Sequence, residues 1–126
     1  MRRGRSTGAP SREEAARIVA AKEGPCIACL ILHERGDLPF SCVVVGCDYH
    51  HMKSGNVRRG HRHGVGLCLW HHRGQPWGQW TCKQLLDIYG PSLMDGSALF
   101  HRTYGEDDVL IARQDALLGI VDEAAA

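Results

Sequence analysis

The chain has 126 residues, 23% of them charged, with a formal net charge of +1. That length allows one domain with tails and a modest core, so a stabilising metal or crosslink is expected. No run approaches the ~18 apolar residues of a membrane span, and the basic start "MRRGRSTGAPS" leads into no apolar segment, so neither a membrane protein nor one carrying a signal peptide is expected.

Residues 1–10, rich in Arg, Gly, Ser and Pro, read as a flexible basic arm. Ser11 followed by Glu14 is a capping-box pattern. It predicts a helix over Arg12 to Glu23 with Ala15, Ile18, Val19 and Lys22 on one half-apolar face, stopped by Gly24-Pro25. "CIACLILHERG" predicts a short helical turn ending at Gly36. The β-branched "PFSCVVVGC", Pro39 to Cys47, reads as a strand running into His50, and "KSGNVRRG" reads as a loop. His61 to Leu67 reads as a second strand antiparallel to the first, weakened by Gly64 and Gly66. A helix starts at Cys68 and is limited by Gly74 and Pro76. Further helices are expected over about Thr81 to Tyr89, Ser97 to Tyr104 and Asp107 to Glu123. The last has Val109, Leu110, Leu117, Leu118 and Val121 as its apolar face.

Charge is segregated along this order. Tyr49 to Leu86 contains no Asp or Glu but carries Lys53, Arg58, Arg59, Arg62, Arg73 and Lys83. Arg2, Arg3, Arg5 and Arg12 add a second acid-free stretch, and the acids collect from Asp87 onward. Such a surface suits a polyphosphate partner such as nucleic acid.

Six of the eight histidines lie between Gly46 and Gly74, two as the pair His50-His51 and two as His71-His72. Cys26-x-x-Cys29 and Cys68-x-x-His71 each have the spacing of half a zinc knuckle, and together they make a Cys3His set. A chain kept in a reducing compartment favours metal over disulfides for these cysteines. Cys42 and Cys82 are expected to be packed thiols, and Cys47 to lie near the site. Cys68 and His71 share a helix face. Consecutive helical residues point ~100° apart, so His72 is expected to look away from that ion, toward His50 and His51. A hydrolytic nuclease needs a cation on the phosphate and a base for water. One imidazole of the first pair can bind metal while its neighbour stays a base, a role that suits a group titrating near neutral pH.

"YHHMKSG", "RRGH" and "GLCLWHHRG" resemble the core of HNH, or ββα-metal, nucleases. More narrowly, "PCIACLI", "HHMKSGNVRRGH", "LCLWHHRG", "YGPSL" and "FHRTYGEDDVL", in this order, resemble the phage recombination enhancement function (Ref) proteins, which are RecA-dependent DNA endonucleases. The resemblance covers roughly residues 24–118. It implies an α+β fold: a small HNH (ββα-metal) core with a structural zinc knuckle, flanked by N- and C-terminal helices. The arm would be residues 1–10, and one HNH-type domain would span 11–126, its core about 24–104.

The same resemblance implies His50 and His72 as catalytic-metal ligands and His51 as general base. His61 would be a supporting residue, and Cys26, Cys29, Cys68 and His71 would hold structural Zn²⁺. Asn56 and His101 fall at lesser positions. Lys53, Arg58, Arg59, Arg62 and Arg73 are expected to hold phosphates. The catalytic ion would be Mg²⁺ or Mn²⁺, with zinc a competitor for the same imidazoles. The implied partners are DNA and a RecA filament, and the implied setting is the cytoplasm of a bacterial host, from a phage or prophage gene. Two alternatives remain: a zinc-stabilised DNA-binding module without catalysis, and a restriction-type HNH nuclease acting without RecA.

Overall fold

The structure, a computed structural model, describes residues 8–54, 57–58 and 60–119; at positions 53, 54, 57 and 58 it describes the backbone alone. Asn56, Arg59, the arginines of the arm and Val121 lie outside the described residues.

Helix α1 (Arg12–Glu23) begins where Ser11 accepts from the Glu14 N–H at 3.1 Å and Glu14 accepts from the Ser11 N–H at 2.8 Å. It ends at Gly24, because the residue before a proline is held out of the helical region. Helix α2 (Ile27–Glu34) is two full turns rather than the single turn expected, and buries Ile27, Ala28, Cys29, Ile31 and Leu32.

The strand expected over Pro39 to Cys47 is absent. Phe40–Cys42 form a 3₁₀ turn, and the following residues lie against the end of α1 as irregular backbone. Cys26 N–H donates to Val44 O at 2.9 Å, Gly46 N–H to Gly24 O at 2.9 Å and Cys47 N–H to Lys22 O at 2.7 Å. The physical reason is the partner. A ladder needs a regular row of donors, and this row is a helix end followed by Pro25, which has no N–H. Only an isolated bridge, Pro25 to Val45, results.

The strand forms instead at β1 (Asp48–His51). It pairs antiparallel with β4 (Gly64–Leu67), Asp48 opposite Leu67 and His51 opposite Gly64. Between them, the stretch read as a loop is a short hairpin of β2 (Lys53–Ser54) and β3 (Val57–Arg58). Helix α3 (Leu69–Arg73) follows β4 directly and ends at Gly74, whose φ of 64° is left-handed. Then come α4 (Cys82–Tyr89), opened by a Thr81/Gln84 capping box, α5 (Ser97–Tyr104) and α6 (Asp107–Leu117). The architecture is α+β, with the expected order of strand, connection, strand and helix at its centre. No described helix is long and apolar enough to cross a membrane.

A two-stranded sheet leaves backbone groups of β4 without a strand partner, and buried groups of this kind must find another. The flanking helices supply it with polar side chains that the apolar faces read for them did not include, while Leu110 of the face read for the last helix is buried as expected. Arg17, 6% exposed, turns inward from α1 and donates to Gly64 O at 2.7 Å; Ala21 is the other buried residue of that helix, while Val19 is half-exposed. From α6, Gln114 accepts the Gly66 N–H at 2.8 Å. Gln114 and Leu110, four apart, take the interior, leaving Val109 and Leu117 at 51% and 44% exposure.

The core is one cluster: α2 is covered by Met52, Val65, Leu67, Trp70, Leu85, Tyr89, Phe100, Tyr104 and Leu110. Fully burying such a side chain contributes about 1.5–3 kcal/mol.

Candidate metal centre and histidine cluster

Inside that core sit four fully buried side chains, Cys26, Cys29, Cys68 and His71, whose ligand atoms all lie within 4.8 Å of one another. Cys26 is the residue capping α2 and Cys29 lies in its first turn, while Cys68 is the residue capping α3 and His71 lies within α3. His71 Nδ1 is 3.4 Å from Cys26 Sγ, 3.7 Å from Cys29 Sγ and 3.3 Å from Cys68 Sγ. On the far side of the ring, Nε2 donates to Tyr89 O at 2.8 Å. That bond assigns the proton to Nε2 and leaves the Nδ1 lone pair facing three sulfurs.

Tyr89 and Tyr104 pack edge-on against the ring, and Tyr104 Oη also reaches Tyr89 O at 2.9 Å. Burial pushes the Cys26 thiol up to about 12. At Cys29 the hydrogen bond with Cys26 pulls downward, but the hydrogen bond with Cys68 and burial win and the thiol is raised. Cys68 is raised as well, first by its hydrogen bond with Cys26. Three thiols that resist ionisation, closed round one imidazole lone pair, fit a divalent ion that would draw off their protons. This Cys3His set could hold a metal such as zinc.

The second region lies along β1, where successive side chains leave opposite faces. Asp48 and His50 face α3. Asp48 Oδ2 accepts from His72 Nδ1 at 2.8 Å and forms an ion pair with Arg73 Nε at 2.8 Å, and the His50 and His72 rings lie 5.2 Å apart. Burial pulls the Asp48 carboxyl upward, but His72 and Arg73 outweigh it and hold it below the usual range.

Tyr49 and His51 take the other face, with their rings edge-on at 5.1 Å. His51 Nε2 is 3.2 Å from His61 Nδ1, and His61 Nε2 is 2.9 Å from Gly8 O. A carbonyl only accepts, so His61 donates from Nε2. With its Nε2 proton on Gly8 O, His61 offers Nδ1 as an acceptor, an arrangement in which His51 donates from Nε2 and carries its lone pair on Nδ1. His61 is itself 8% exposed, and its backbone carbonyl accepts from Tyr49 Oη.

The two histidine pairs thus part company, one by the alternation of a strand and the other by the rotation of a helix. Among the expected phosphate contacts, Arg62 is exposed and lies 3.3 Å from Glu13, and Arg73 is engaged through Nε with Asp48. Arg59 lies outside the described residues, as do the side chains of Lys53 and Arg58. His101 joins α5 to α6, donating from Nδ1 to Gly105 O at 3.0 Å, with Nε2 3.1 Å from Asp107. Cys82, expected to be packed, is exposed at the first residue of α4; Cys42 and Cys47 are half-buried, and Cys47 Sγ donates to Gly24 O at 3.4 Å.

Sequence reasoning missed Asp48, Arg17 and the Gly8 carbonyl. Asp48 had a usable signal, since it stands two residues before His50 and a strand repeats every two. That signal is readable only once the strand is placed at 48–51.

A buried Cys3His set beneath a strand pair and a short helix lined with histidines makes this a small α+β protein built round a candidate metal centre. The family model described as recombination enhancement, RecA-dependent nuclease matches residues 10–119, and the chain belongs to that family. No curated protein matches the chain.

Proposed function

We propose that the protein is a metal-dependent DNA endonuclease of the HNH superfamily, resembling the Ref proteins and cutting DNA at structures formed by RecA. Residues 11–126 act as one HNH-type domain with a core of about 24–104, preceded by a basic arm. Cys26, Cys29, Cys68 and His71 hold structural zinc. His50 and His72 are the ligands of a catalytic divalent ion, Mg²⁺ or Mn²⁺, which would stabilise charge on the scissile phosphate.

The observation that carries this reading is the division at β1. His50 faces His72 at 5.2 Å, while His51 faces His61 at 3.2 Å between ring nitrogens. A ligand and a base are needed on one phosphate but cannot be the same imidazole, because a coordinated nitrogen has given up its lone pair. Adjacent residues stand about 3.8 Å apart at Cα, so a phosphodiester laid across the end of the strand would meet His50 from one face and His51 from the other. His51 accepts a proton from water at Nδ1, while His61, a positioning residue, holds His51 Nε2 and Gly8 O holds His61 Nε2. Lys53, Arg58, Arg59, Arg62 and Arg73 bind flanking phosphates. Such contacts fix position without reading bases, so target choice comes from the RecA filament.

The test is cleavage of a duplex invaded by a RecA filament, with Mg²⁺, by the native chain and by His51→Ala. The variant is expected to keep its zinc and DNA affinity and to lose about 10²–10⁴-fold in rate. Unchanged cleavage would remove His51 as base. A native chain that binds this DNA but never cuts it is a binding module, and one that cuts equally without RecA is a restriction-type enzyme.

A further inference from the structure

We propose that Asp48 is a positioning residue that orients His72 as a metal ligand. The inference rests on the reading of His50 and His72 as the ligand pair.

Asp48 opens β1 two residues before His50, so both side chains leave the same face of the strand, toward α3. Its Oδ2 accepts the His72 Nδ1 proton at 2.8 Å. The nitrogens of an imidazole lie on opposite sides of the ring. Fixing Nδ1–H on the carboxylate therefore places the lone pair on Nε2 and aims it away from Asp48. The His50 ring stands 5.2 Å from that of His72.

Arg73 Nε grips the same oxygen at 2.8 Å and keeps the carboxylate from rotating away. Arg73 has five N–H donors in its fork, so one guanidinium can hold Asp48 and also meet a phosphate. Asp48 is not read as a third ligand. Among the described residues, the only set of three or more such ligand atoms within 4.8 Å of one another is the Cys3His cluster. A carboxylate on the outer nitrogen of a ligating histidine fixes its tautomer and raises its basicity, and losing it weakens metal binding about 10–100-fold. This also gives a reason for a carboxylate immediately before the acid-free stretch that starts at Tyr49.

The experiment is calorimetric titration of the zinc-loaded full chain with Mn²⁺ at one pH, for the native protein, Asp48→Ala, Asp48→Asn and His72→Ala. Zinc content and the thermal unfolding midpoint are read for each. Asp48→Ala is expected to weaken Mn²⁺ binding about 10–100-fold while one zinc per chain is kept. Asp48→Asn, which keeps an acceptor but not the charge, is expected to weaken it less. His72→Ala is expected to abolish it. Native affinity in Asp48→Ala, with Mn²⁺ binding lost in His72→Ala, overturns the positioning role. Native affinity in His72→Ala overturns the ligand reading instead. Should Asp48→Ala fail to fold, Asp48→Asn decides: native Mn²⁺ affinity in it overturns the proposal.

Discussion

His71 and His72 are neighbours in sequence with unlike surroundings. The first is fully buried with Nδ1 among three sulfurs; the second is partly exposed with Nδ1 on a carboxylate. In each case the hydrogen bond at one nitrogen decides what the other can do. The thiols add a testable consequence. Their folded-state values are raised, Cys26 to about 12, so near neutral pH the metal-free cluster carries protons that a bound ion must displace. Zinc uptake is therefore expected to release protons, and zinc affinity to fall as pH falls. Titrations in buffers of differing ionisation enthalpy check this; zinc binding without proton release would contradict it. These four residues were legible from spacing alone, because CxxC and CxxH are local constraints. Asp48 and Gly8 were not, since the contact of His61 with Gly8 spans 53 positions and no local pattern encodes it.

At the scale of elements, two glycines in β4 that look like weaknesses are where other backbone and ring atoms approach. A Cβ at Gly66 would stand 2.6 Å from Ala21 O, a helix carbonyl that cannot step aside. At Gly64 it would meet the Tyr49 ring at 2.5 Å and His50 O at 2.7 Å. Tyr49 is held by its contact with Arg17 and by the His61 carbonyl, so it cannot yield easily either. Gly66→Ala is expected to cost about 1–3 kcal/mol through overpacking, read as a lower urea midpoint with an unchanged slope. Gly64→Ala is expected to disturb the Tyr49–His51 face as well, and so to lower cleavage more than its stability loss explains. Helix starts were legible in the sequence because the capping boxes at Ser11 and Thr81 are local. The strand over Pro39 to Cys47 was misread because its residues suit a strand, while the partner beside them offers a helix end and a proline.

For the whole molecule, α1 and α6 are tied across the sheet by Arg17. It donates to Asp115 at 2.7 Å from Nη2 and 3.0 Å from Nε, and also to Gly64 O. The guanidinium is nearly buried and Asp115 is about a third exposed. Asp115→Ala would strand a buried charge and is expected to cost about 3–5 kcal/mol, measured by chemical unfolding of the zinc-loaded chain. A loss below about 1 kcal/mol, typical of exposed pairs, would mean that Arg17 finds water instead.

The sequence by itself determined the ligand spacings, the helix caps, the acid-free basic stretch and the family. Each is a property of residues close together in the chain or of their order. Only the tertiary structure decided which polar side chains turn inward to serve β4, where the first strand begins, and that Asp48 and the Gly8 carbonyl reach the histidines. The reason is that a buried backbone group must be satisfied by whatever folding brings beside it, and that neighbour is chosen by packing rather than by position in the chain.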